Sequence, residues 1–236
     1  NQVLGRANKF FLKFCKKIFC YSEHIKNFPQ NYKKKIIVIN PLVSEKIYKM
    51  NISKEIKDKF TILIVGGSQG ANIFDKNLKN SIVNISKKIP VRIIQQTHEN
   101  NISSLSNFYS KNNIENKIFS YDENFSNSIQ QADICISRAG ASTLSELSVI
   151  NTPFIAVPLP TSKDNHQFEN ANFYKLKDCC WIIEQNFFEE KIEVFLTNII
   201  NNRIDYLKKK ENLKKLNFQN TWINVNQKIL KNINEN

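Results

Sequence analysis

The sequence lacks the features of membrane-spanning and disulfide-bonded proteins. No apolar run approaches the ~18 residues that a membrane-spanning helix needs, and the first residues do not form a signal peptide. The five cysteines have no metal-ligand spacing and do not pair evenly, so they favour a reducing, cytosolic compartment. No internal repeat or low-complexity linker occurs. The chain begins at Asn1 rather than Met, which predicts a piece of a longer protein.

Acidic residues are fewer than basic ones. The chain has 21 Asp and Glu residues and 34 Lys and Arg residues, which gives a formal net charge of +13 at pH 7. Such a charge suits an anionic partner, whether nucleic acid, acidic lipid or a phosphorylated substrate. The lysines are spread along a chain that is also rich in Asn and Ile, so a general compositional bias explains the charge equally well. Because no interleaved aromatic and basic motif is present, we expect no nucleic-acid partner.

Short apolar runs alternate with helical patterns along most of the chain. The predicted strands are 61–65, 91–95, 117–120, 133–137, 153–157 and 180–183, and the predicted helices are 71–87, 100–112, 125–131, 142–150, 166–176 and 188–201. This alternation predicts an α/β fold with a parallel sheet covered by helices on both faces. Upstream, the pattern predicts an amphipathic helix over 4–17 and strands at 18–21 and 36–39. The tail from Ile204 onward reads as helical.

The most informative segment is the glycine-rich turn Gly66-Gly67-Ser68-Gln69-Gly70, which follows a buried strand and opens a helical pattern. Glycines let the backbone approach a ligand closely, and free amides at a helix start favour an anion. The turn is not a P-loop, because no Gly-Lys-Ser/Thr follows. A dinucleotide site is disfavoured, since the next strand ends in Gln95-Gln96-Thr97 instead of an acid for a ribose. Two interpretations of this turn remain: a turn that binds a phosphate, and a tight strand-to-helix turn that binds no ligand.

A second glycine turn, Arg138-Ala139-Gly140, follows another buried strand and leads to Glu146. Thr143 and Glu146 have the spacing of a capping box, in which Thr143 is the N-cap. The functional alternative is that Glu146 accepts two hydrogen bonds from a ribose diol, because a carboxylate offers acceptors only.

A third polar loop, 158–171, also lies at a strand end. Asp164 or Asn165 is expected to cap the helix that follows. His166 at a helix start is more often solvated than catalytic. Gln167 is suited to hydrogen-bond the hydroxyls of a sugar.

Together these three segments resemble the MurG family, whose members add N-acetylglucosamine to an undecaprenyl-pyrophosphate-linked muramyl-pentapeptide in peptidoglycan synthesis. The resemblance runs from Asn1 to about Gln185 and is dense at 66–71, 138–146 and 163–171. It implies a GT-B glycosyltransferase, an α/β protein with a Rossmann-like parallel-sheet C-terminal donor domain. The implied division is 1–39 as the end of the N-terminal acceptor domain, 40–215 as the UDP-sugar-binding domain, and 216–236 as a C-terminal helix that packs back towards the first.

The resemblance also implies the reaction and the site. UDP-N-acetylglucosamine is the implied donor, transfer proceeds with inversion, and no cofactor or metal is required. Ser68 and neighbouring amides are placed at the diphosphate, Glu146 at the ribose, Gln167 at the donor sugar, and Asn1 at the end of a His-Glu-Gln-Asn segment. The full substrate-binding set is Asn1, Gly67, Ser68, Gln69, Ala141, Ser142, Thr143, Leu144, Ser145, Glu146 and Gln167.

Three departures from the family pattern are visible. Most of the acceptor domain, with its suspected catalytic base, lies outside this chain, so no catalytic residue is assigned here. The family's Asn-Pro-Val-Arg reads Asn40-Pro41-Leu42-Val43, and the donor-contacting arginine is therefore replaced by Val43. The family has two adjacent glutamines in the third segment, and here they are replaced by His166-Gln167.

A lipid-linked acceptor implies a peripheral protein on the cytoplasmic face of the inner membrane. The lysines at 9, 13, 16 and 17, beside Phe10, Phe11 and Phe14, suit an anionic lipid surface. The favoured alternative is that these aromatic residues belong to a core. Two other functions remain: another GT-B enzyme acting on a nucleotide sugar, and a donor-binding half that works with a separate acceptor-binding chain.

Overall fold

The computed structural model describes residues 1–50, 58–67 and 71–234. Its main feature is a parallel sheet of six strands: β3 (Phe60–Val65), β4 (Val91–Gln96), β5 (Glu115–Phe119), β6 (Ile134–Ser137), β7 (Phe154–Ala156) and β8 (Cys180–Ile182). A smaller parallel pair, β1 (Ile18–Cys20) and β2 (Ile36–Val38), precedes it. The parallel α/β architecture predicted from the alternation is therefore confirmed.

Helices connect these strands. In chain order they are α1 (Arg6–Phe11), α2 (Glu45–Tyr48), α3 (Ala71–Asn77), α4 (Lys79–Ser86), α5 (Ile102–Lys111), α6 (Phe125–Gln131), α7 (Ala141–Val149), α8 (His166–Lys175), α9 (Phe188–Asn201), α10 (Arg203–Leu216) and α11 (Trp222–Asn234). Short 3-10 turns lie at Gln30–Lys35, Glu99–Asn101, Lys163–Asn165 and Gln185–Phe187. Among the helices of residues 1–50, 58–67 and 71–234, none is long and apolar enough to cross a membrane.

The central strands β3 and β6 are apolar on both sides because helices cover both faces of the sheet. Alternate residues of a strand point to opposite faces, and in β3 the side chains of Ile62 and Ile64 pack in one apolar cluster with residues of α4, α5 and α9. Leu63 and Val65 pack in a second cluster with residues of α7 and α8. The near-continuous apolar runs of the sequence thus correspond to strands buried between two helical layers.

The strand order, β5-β4-β3-β6-β7-β8, creates a crevice at one place. The chain builds outward from β3 to β4 and β5, then returns to place β6 on the other side of β3. In open parallel sheets ligands bind at such a switch point, beyond the carboxyl ends of the two central strands. Val65 and Ser137 are register partners at this end, so the first two glycine turns leave the sheet side by side.

Two helix predictions need correction. The expected helix over 71–87 is divided into α3 and α4 at Leu78, whose φ is −103° and whose side chain is fully buried. The expected helix over 4–17 is limited to α1, and the Lys35 ammonium donates to the carbonyls of Leu12 (3.2 Å) and Cys15 (2.6 Å) beyond its end. Gly5 is the N-cap of α1, but neither a proline nor a glycine marks the end of α1 or the division at Leu78 in the sequence.

The aromatic residues of the first segment are not core residues of this chain. Phe10, Phe11 and Phe14 are 64%, 55% and 67% exposed. The Lys13 ammonium lies 5.7 Å from the ring centre of Phe10 and 4.8 Å from that of Phe14. The expectation that these rings are buried is therefore wrong, and they form an exposed cluster with a lysine over it.

Candidate functional site

The first glycine turn leaves β3 at the switch point. Gly66 is buried, whereas Gly67 is exposed and has a φ of +64°, a conformation that favours glycine. The N–H of Gly67 donates to Oε1 of Gln96 at 3.1 Å, so this amide is bound within the chain. Ser68 and Gln69, which were expected to meet a diphosphate, lie outside the described residues.

Arg138 ties the second turn to its surroundings. Its backbone N–H donates to the carbonyl of Val65 at 3.2 Å, which joins the two glycine turns directly. Its buried guanidinium donates to the carbonyl of Val157 (3.1 Å) and to Oε1 of Gln185 (2.6 Å). Burial lowers the pKa of this guanidinium. Sequence reasoning did not single out Arg138 as a residue that holds strand ends together.

Helix α7 begins one turn earlier than a capping box at Thr143 requires. Its N-cap is Gly140, with no side-chain cap, so the capping-box interpretation of Thr143 and Glu146 is wrong. The first N–H groups of a helix have no intrahelical partners. Ala141, Ser142 and Thr143 therefore present backbone donors at the positive end of the α7 dipole.

Glu146 lies on the second turn of α7 and is half-buried. Burial raises the pKa of its carboxyl. Within the described part of the chain, its side chain makes neither a hydrogen bond nor an ion pair. A half-buried carboxylate with free acceptor positions is costly unless a ligand supplies donors, and such acceptors suit a diol.

Gln167 lies at the start of α8 and connects two strand ends. Its Oε1 accepts hydrogen bonds from the N–H of Ala139 (3.2 Å), after β6, and from that of Leu159 (3.0 Å), after β7. These two bonds fix the orientation of the side-chain amide, because only its oxygen accepts. The NH₂ group, whose partners would be acceptors, makes no hydrogen bond to the residues that the structure describes.

The loop before α8 holds two strained residues. Asp164 and Asn165 have φ values of 55° and 56°, and neither side chain caps the helix, contrary to expectation. Nδ1 of His166 donates to the carbonyl of Lys163 at 2.8 Å, so this ring is tied to its own loop. This arrangement sets the direction in which α8 enters the site.

Asn170 brings the N-terminus to the site. Its buried amide donates to the carbonyl of Ala139 (3.1 Å) and to Oδ1 of Asn1 (3.2 Å), and its Oδ1 accepts from the N–H of Gln2 (2.9 Å). An ion pair between Lys26 and Glu169, at 2.6 Å, adds a second link. Asn1 thus lies beside the turn after β6, and Asn170, three residues after Gln167, was missed as the residue that holds it.

Val43 lies where the resemblance implies an arginine. It is half-buried against the apolar cluster that includes residues of α7.

No metal-binding group is found in residues 1–50, 58–67 and 71–234. They contain no cluster of three or more His, Cys, Asp or Glu side chains that could hold an ion.

Comparison with known proteins gives the family. The glycosyltransferase family 28 C-terminal domain matches residues 61–223. A protein of Pelagibacter ubique is 48% identical over 237 residues, covering 100% of this chain and 67% of its own length. Its name is UDP-N-acetylglucosamine--N-acetylmuramyl-(pentapeptide) pyrophosphoryl-undecaprenol N-acetylglucosamine transferase. The chain belongs to the MurG family.

Other members and solved structures agree with this assignment. A protein of Rickettsia felis with the same name is 39% identical over 214 residues, covering 86% of this chain and 59% of its own length. The crystal structure of Acinetobacter baumannii MurG has a TM-score of 0.77 at 22% identity and covers 100% of this chain and 66% of that one. The fold is that of the GT-B glycosyltransferases.

The fold extends beyond MurG-family transferases. A UDP-GlcNAc 2-epimerase of Neisseria meningitidis, solved with UDP-GlcNAc, has a TM-score of 0.67 at 16% identity. It covers 97% of this chain and 63% of that chain. At this identity the likeness shows a shared fold only. This MurG-family chain spans about two thirds of the length of the Pelagibacter relative and less of the Rickettsia one.

Proposed function

We propose that this chain is the donor-binding part of an inverting glycosyltransferase. The donor is UDP-N-acetylglucosamine, and the acceptor is the undecaprenyl-pyrophosphate-linked muramyl-pentapeptide of peptidoglycan synthesis. The names of the curated relatives support this reaction. The observation that carries it is the meeting of three polar segments at the switch point, with the carboxylate of Glu146 half-buried and unpartnered among the described residues.

Each proposed contact follows from the chemistry of its residue. The carboxylate of Glu146 accepts from the ribose diol, and residues 141–143 at the start of α7 line the uridine. Leu144 and Ser145, which were also expected to line it, are buried and contribute no side-chain contact. The NH₂ group of Gln167, whose oxygen is already bound by two amides, donates to a hydroxyl of the sugar. Gly67, Ser68 and Gln69 form the turn at the diphosphate, and Asn1 reaches the side of the site from which the acceptor approaches.

The mechanism is attack of an acceptor hydroxyl on the anomeric carbon, in line with departing UDP. The acceptor oxygen forms a new bond to the anomeric carbon while the bond from that carbon to the diphosphate oxygen breaks. The configuration at the anomeric carbon inverts. Negative charge grows on the leaving diphosphate, where the free amides at the start of α7 stabilise it. A general base must take the hydroxyl proton, and we place it in the part of the relatives' length that this chain does not span.

The division of the chain remains part of the proposal. Residues 40–215 form the UDP-sugar-binding domain, residues 1–39 belong to an acceptor-binding domain, and residues 216–236 return towards that domain. The hydrogen bond from the Lys17 ammonium to the carbonyl of Asn232 supports the return.

A membrane surface is the proposed place of action, because the acceptor is a lipid. The exposed rings of Phe10, Phe11 and Phe14 together with the nearby lysines form a basic aromatic patch, as expected of a peripheral contact with anionic lipid. The proposed location is the cytoplasmic face of the inner membrane.

The test is calorimetric titration of this chain with UDP, UDP-N-acetylglucosamine and NAD. We expect binding of the two uridine ligands and not of NAD. Because a carboxylate that accepts two hydrogen bonds from a ligand is worth a few kcal/mol, Glu146→Ala should weaken UDP binding roughly tenfold to a hundredfold.

Glu190→Ala, at an exposed position of α9, is the matched control and should leave the affinity unchanged. Absence of uridine binding by the unaltered chain would refute the donor role. Equal affinities in Glu146→Ala and the unaltered chain would refute the ribose contact alone.

A further inference from the structure

Strand β4 ends in two polar residues, Gln95 and Gln96, and a third, Thr97, follows directly. This is the place where a dinucleotide-binding sheet carries an acid for a ribose. The side chains of all three are hydrogen-bonded within the chain. Their partners include Gly67 of the first glycine turn and Asp75 of the helix that follows it. None of the proposed substrate contacts explains why these three polar side chains are hydrogen-bonded at this strand end.

Gln96 holds the turn itself. Its Oε1 accepts from the N–H of Gly67 at 3.1 Å, and its Nε2 donates to the carbonyl of Ser120 at 3.2 Å. Rotating the amide by half a turn would set donor against donor and acceptor against acceptor, so the two partners fix its orientation. Ser120, just after β5, thereby anchors the side chain that holds Gly67.

Gln95 and Thr97 hold the helix that follows the turn. Their side chains lie on the opposite side of the strand from Gln96, and both donate to the carboxylate of Asp75 in α3, at 2.8 Å and 2.6 Å. The hydroxyl of Tyr109, fully buried, donates to Oε1 of Gln95 at 2.9 Å. One strand end therefore fixes both a residue of the turn and the helix after it.

The hydrogen bond to Gln96 explains how Gly67 keeps its conformation. Gly67 has a φ of +64°, and a Cβ placed on it would meet nothing within 4 Å. Crowding therefore does not require glycine here; the backbone conformation does. Glycine is also the most mobile residue, so it adopts this conformation reliably only where a partner holds it. Gln96 is that partner.

We propose that Gln96 is a positioning residue for the diphosphate of the donor. It holds Gly67, the described residue of the turn that has a positive φ, so that ordering this residue does not oppose binding of the anion. The inference rests on the proposed function, because it assumes that the turn meets a diphosphate. It adds that recognition of the diphosphate, unlike that of the nucleoside, depends on a side chain from a different strand.

The experiment compares UDP with uridine, which lacks the diphosphate, by calorimetry on Gln96→Met. Methionine keeps the length of the side chain and removes the acceptor. We expect UDP affinity to fall about tenfold, as for loss of one ordering hydrogen bond, and uridine affinity to stay unchanged. A general loss of packing would lower both affinities together.

Amide exchange of Gly67, followed by NMR without ligand, gives a second readout. Exchange should accelerate in Gln96→Met and stay slow in Gln96→Glu, because the carboxylate of glutamate still accepts from Gly67. Gln227→Met, at an exposed site on α11, controls for the substitution itself.

The outcomes separate the two proposals. If the unaltered chain binds neither uridine nor UDP, the donor role falls, and this inference falls with it. If the unaltered chain binds both while Gln96→Met binds UDP as tightly, or loses uridine and UDP equally, only the positioning role is overturned.

Discussion

At the scale of single residues, the proposed ribose contact of Glu146 requires a half-buried carboxylate, and that carboxylate lowers the stability of the folded protein when it is charged. Its carboxyl is half-buried and has no partner in the described regions, and burial raises its pKa. The folded state therefore binds the proton more tightly than the unfolded state. Below the unfolded pKa of about 4.3 the carboxyl is neutral in both states. As the pH rises through the folded pKa, ionisation destabilises the folded protein.

From this sign we expect Glu146→Gln to raise the melting temperature at pH 7.5, because it removes the buried charge. The gain should disappear near pH 4, where the unaltered carboxyl is protonated. Thermal unfolding at the two pH values, with Glu190→Gln as the exposed control, measures the difference. A gain of equal size at both pH values would show that the charge is not its source.

At the scale of elements, Asp75 is the link between α3 and β4. Its carboxylate accepts from Gln95, Thr97 and Asn101, the last at 3.2 Å. Removing it leaves the amide of Gln95, a fully buried residue, with an unsatisfied donor. Each such loss has a cost because the group was desolvated on folding.

We therefore expect Asp75→Ala to lower the free energy of unfolding by about 2–3 kcal/mol. Urea denaturation followed by circular dichroism measures it. Asp58→Ala, at an exposed position before β3, is the control and should change stability by less than about 0.5 kcal/mol. A loss at Asp75 no larger than at Asp58 would mean that solvent satisfies these donors and that the link carries no stability.

The same elements show what the sequence predicts well. Every strand of the main sheet was predicted within a few residues, because short apolar runs rich in β-branched residues, such as 61–65, are typical of strands buried in a parallel sheet. The division at Leu78 was not, since no glycine or proline marks it. The start of α7 was predicted within one residue, but the capping-box interpretation was wrong, because Gly140 and not Thr143 takes the N-cap position.

The candidate site was predicted where local motifs define it and missed where distant partners do. Glu146 and Gln167 follow from short motifs. Arg138 and Gln96 do not, because their roles depend on Gln185 and Gly67, which are far away in sequence. Asn170 was missed for the same reason, since Asn1 comes beside it only in the folded chain.

At the scale of the whole molecule, the net charge of +13 and the exposed basic aromatic patch bear on where the protein acts. The rings of Phe10 and Phe14 were expected to be buried in a core, whereas they are exposed in this chain, as the proposed contact with a lipid surface requires. Both attraction to anionic headgroups and burial of the rings favour binding there.

We expect this chain to sediment with vesicles that contain phosphatidylglycerol and to stay in solution with purely zwitterionic vesicles. Replacing Phe10 and Phe14 together by Ser should reduce the bound fraction several-fold, because burial of each ring contributes roughly 1.5–3 kcal/mol when complete. Phe218→Ser, also an exposed phenylalanine, is the control. Binding that is indifferent to vesicle charge and to both ring replacements would exclude the patch as the contact.

The strand order has a consequence for how nucleotide preference evolves. The switch point divides the sheet into one half built from β3, β4 and β5 and another from β6, β7 and β8. Under the proposed function, the first half contributes the glycine turn at the pyrophosphate common to all nucleoside-diphosphate sugars. The second half contacts that pyrophosphate only through backbone amides at the start of α7, and its side chains contact the base, the ribose and the sugar. A lineage can therefore exchange one nucleotide sugar for another by altering the second half alone, while the first is inherited intact.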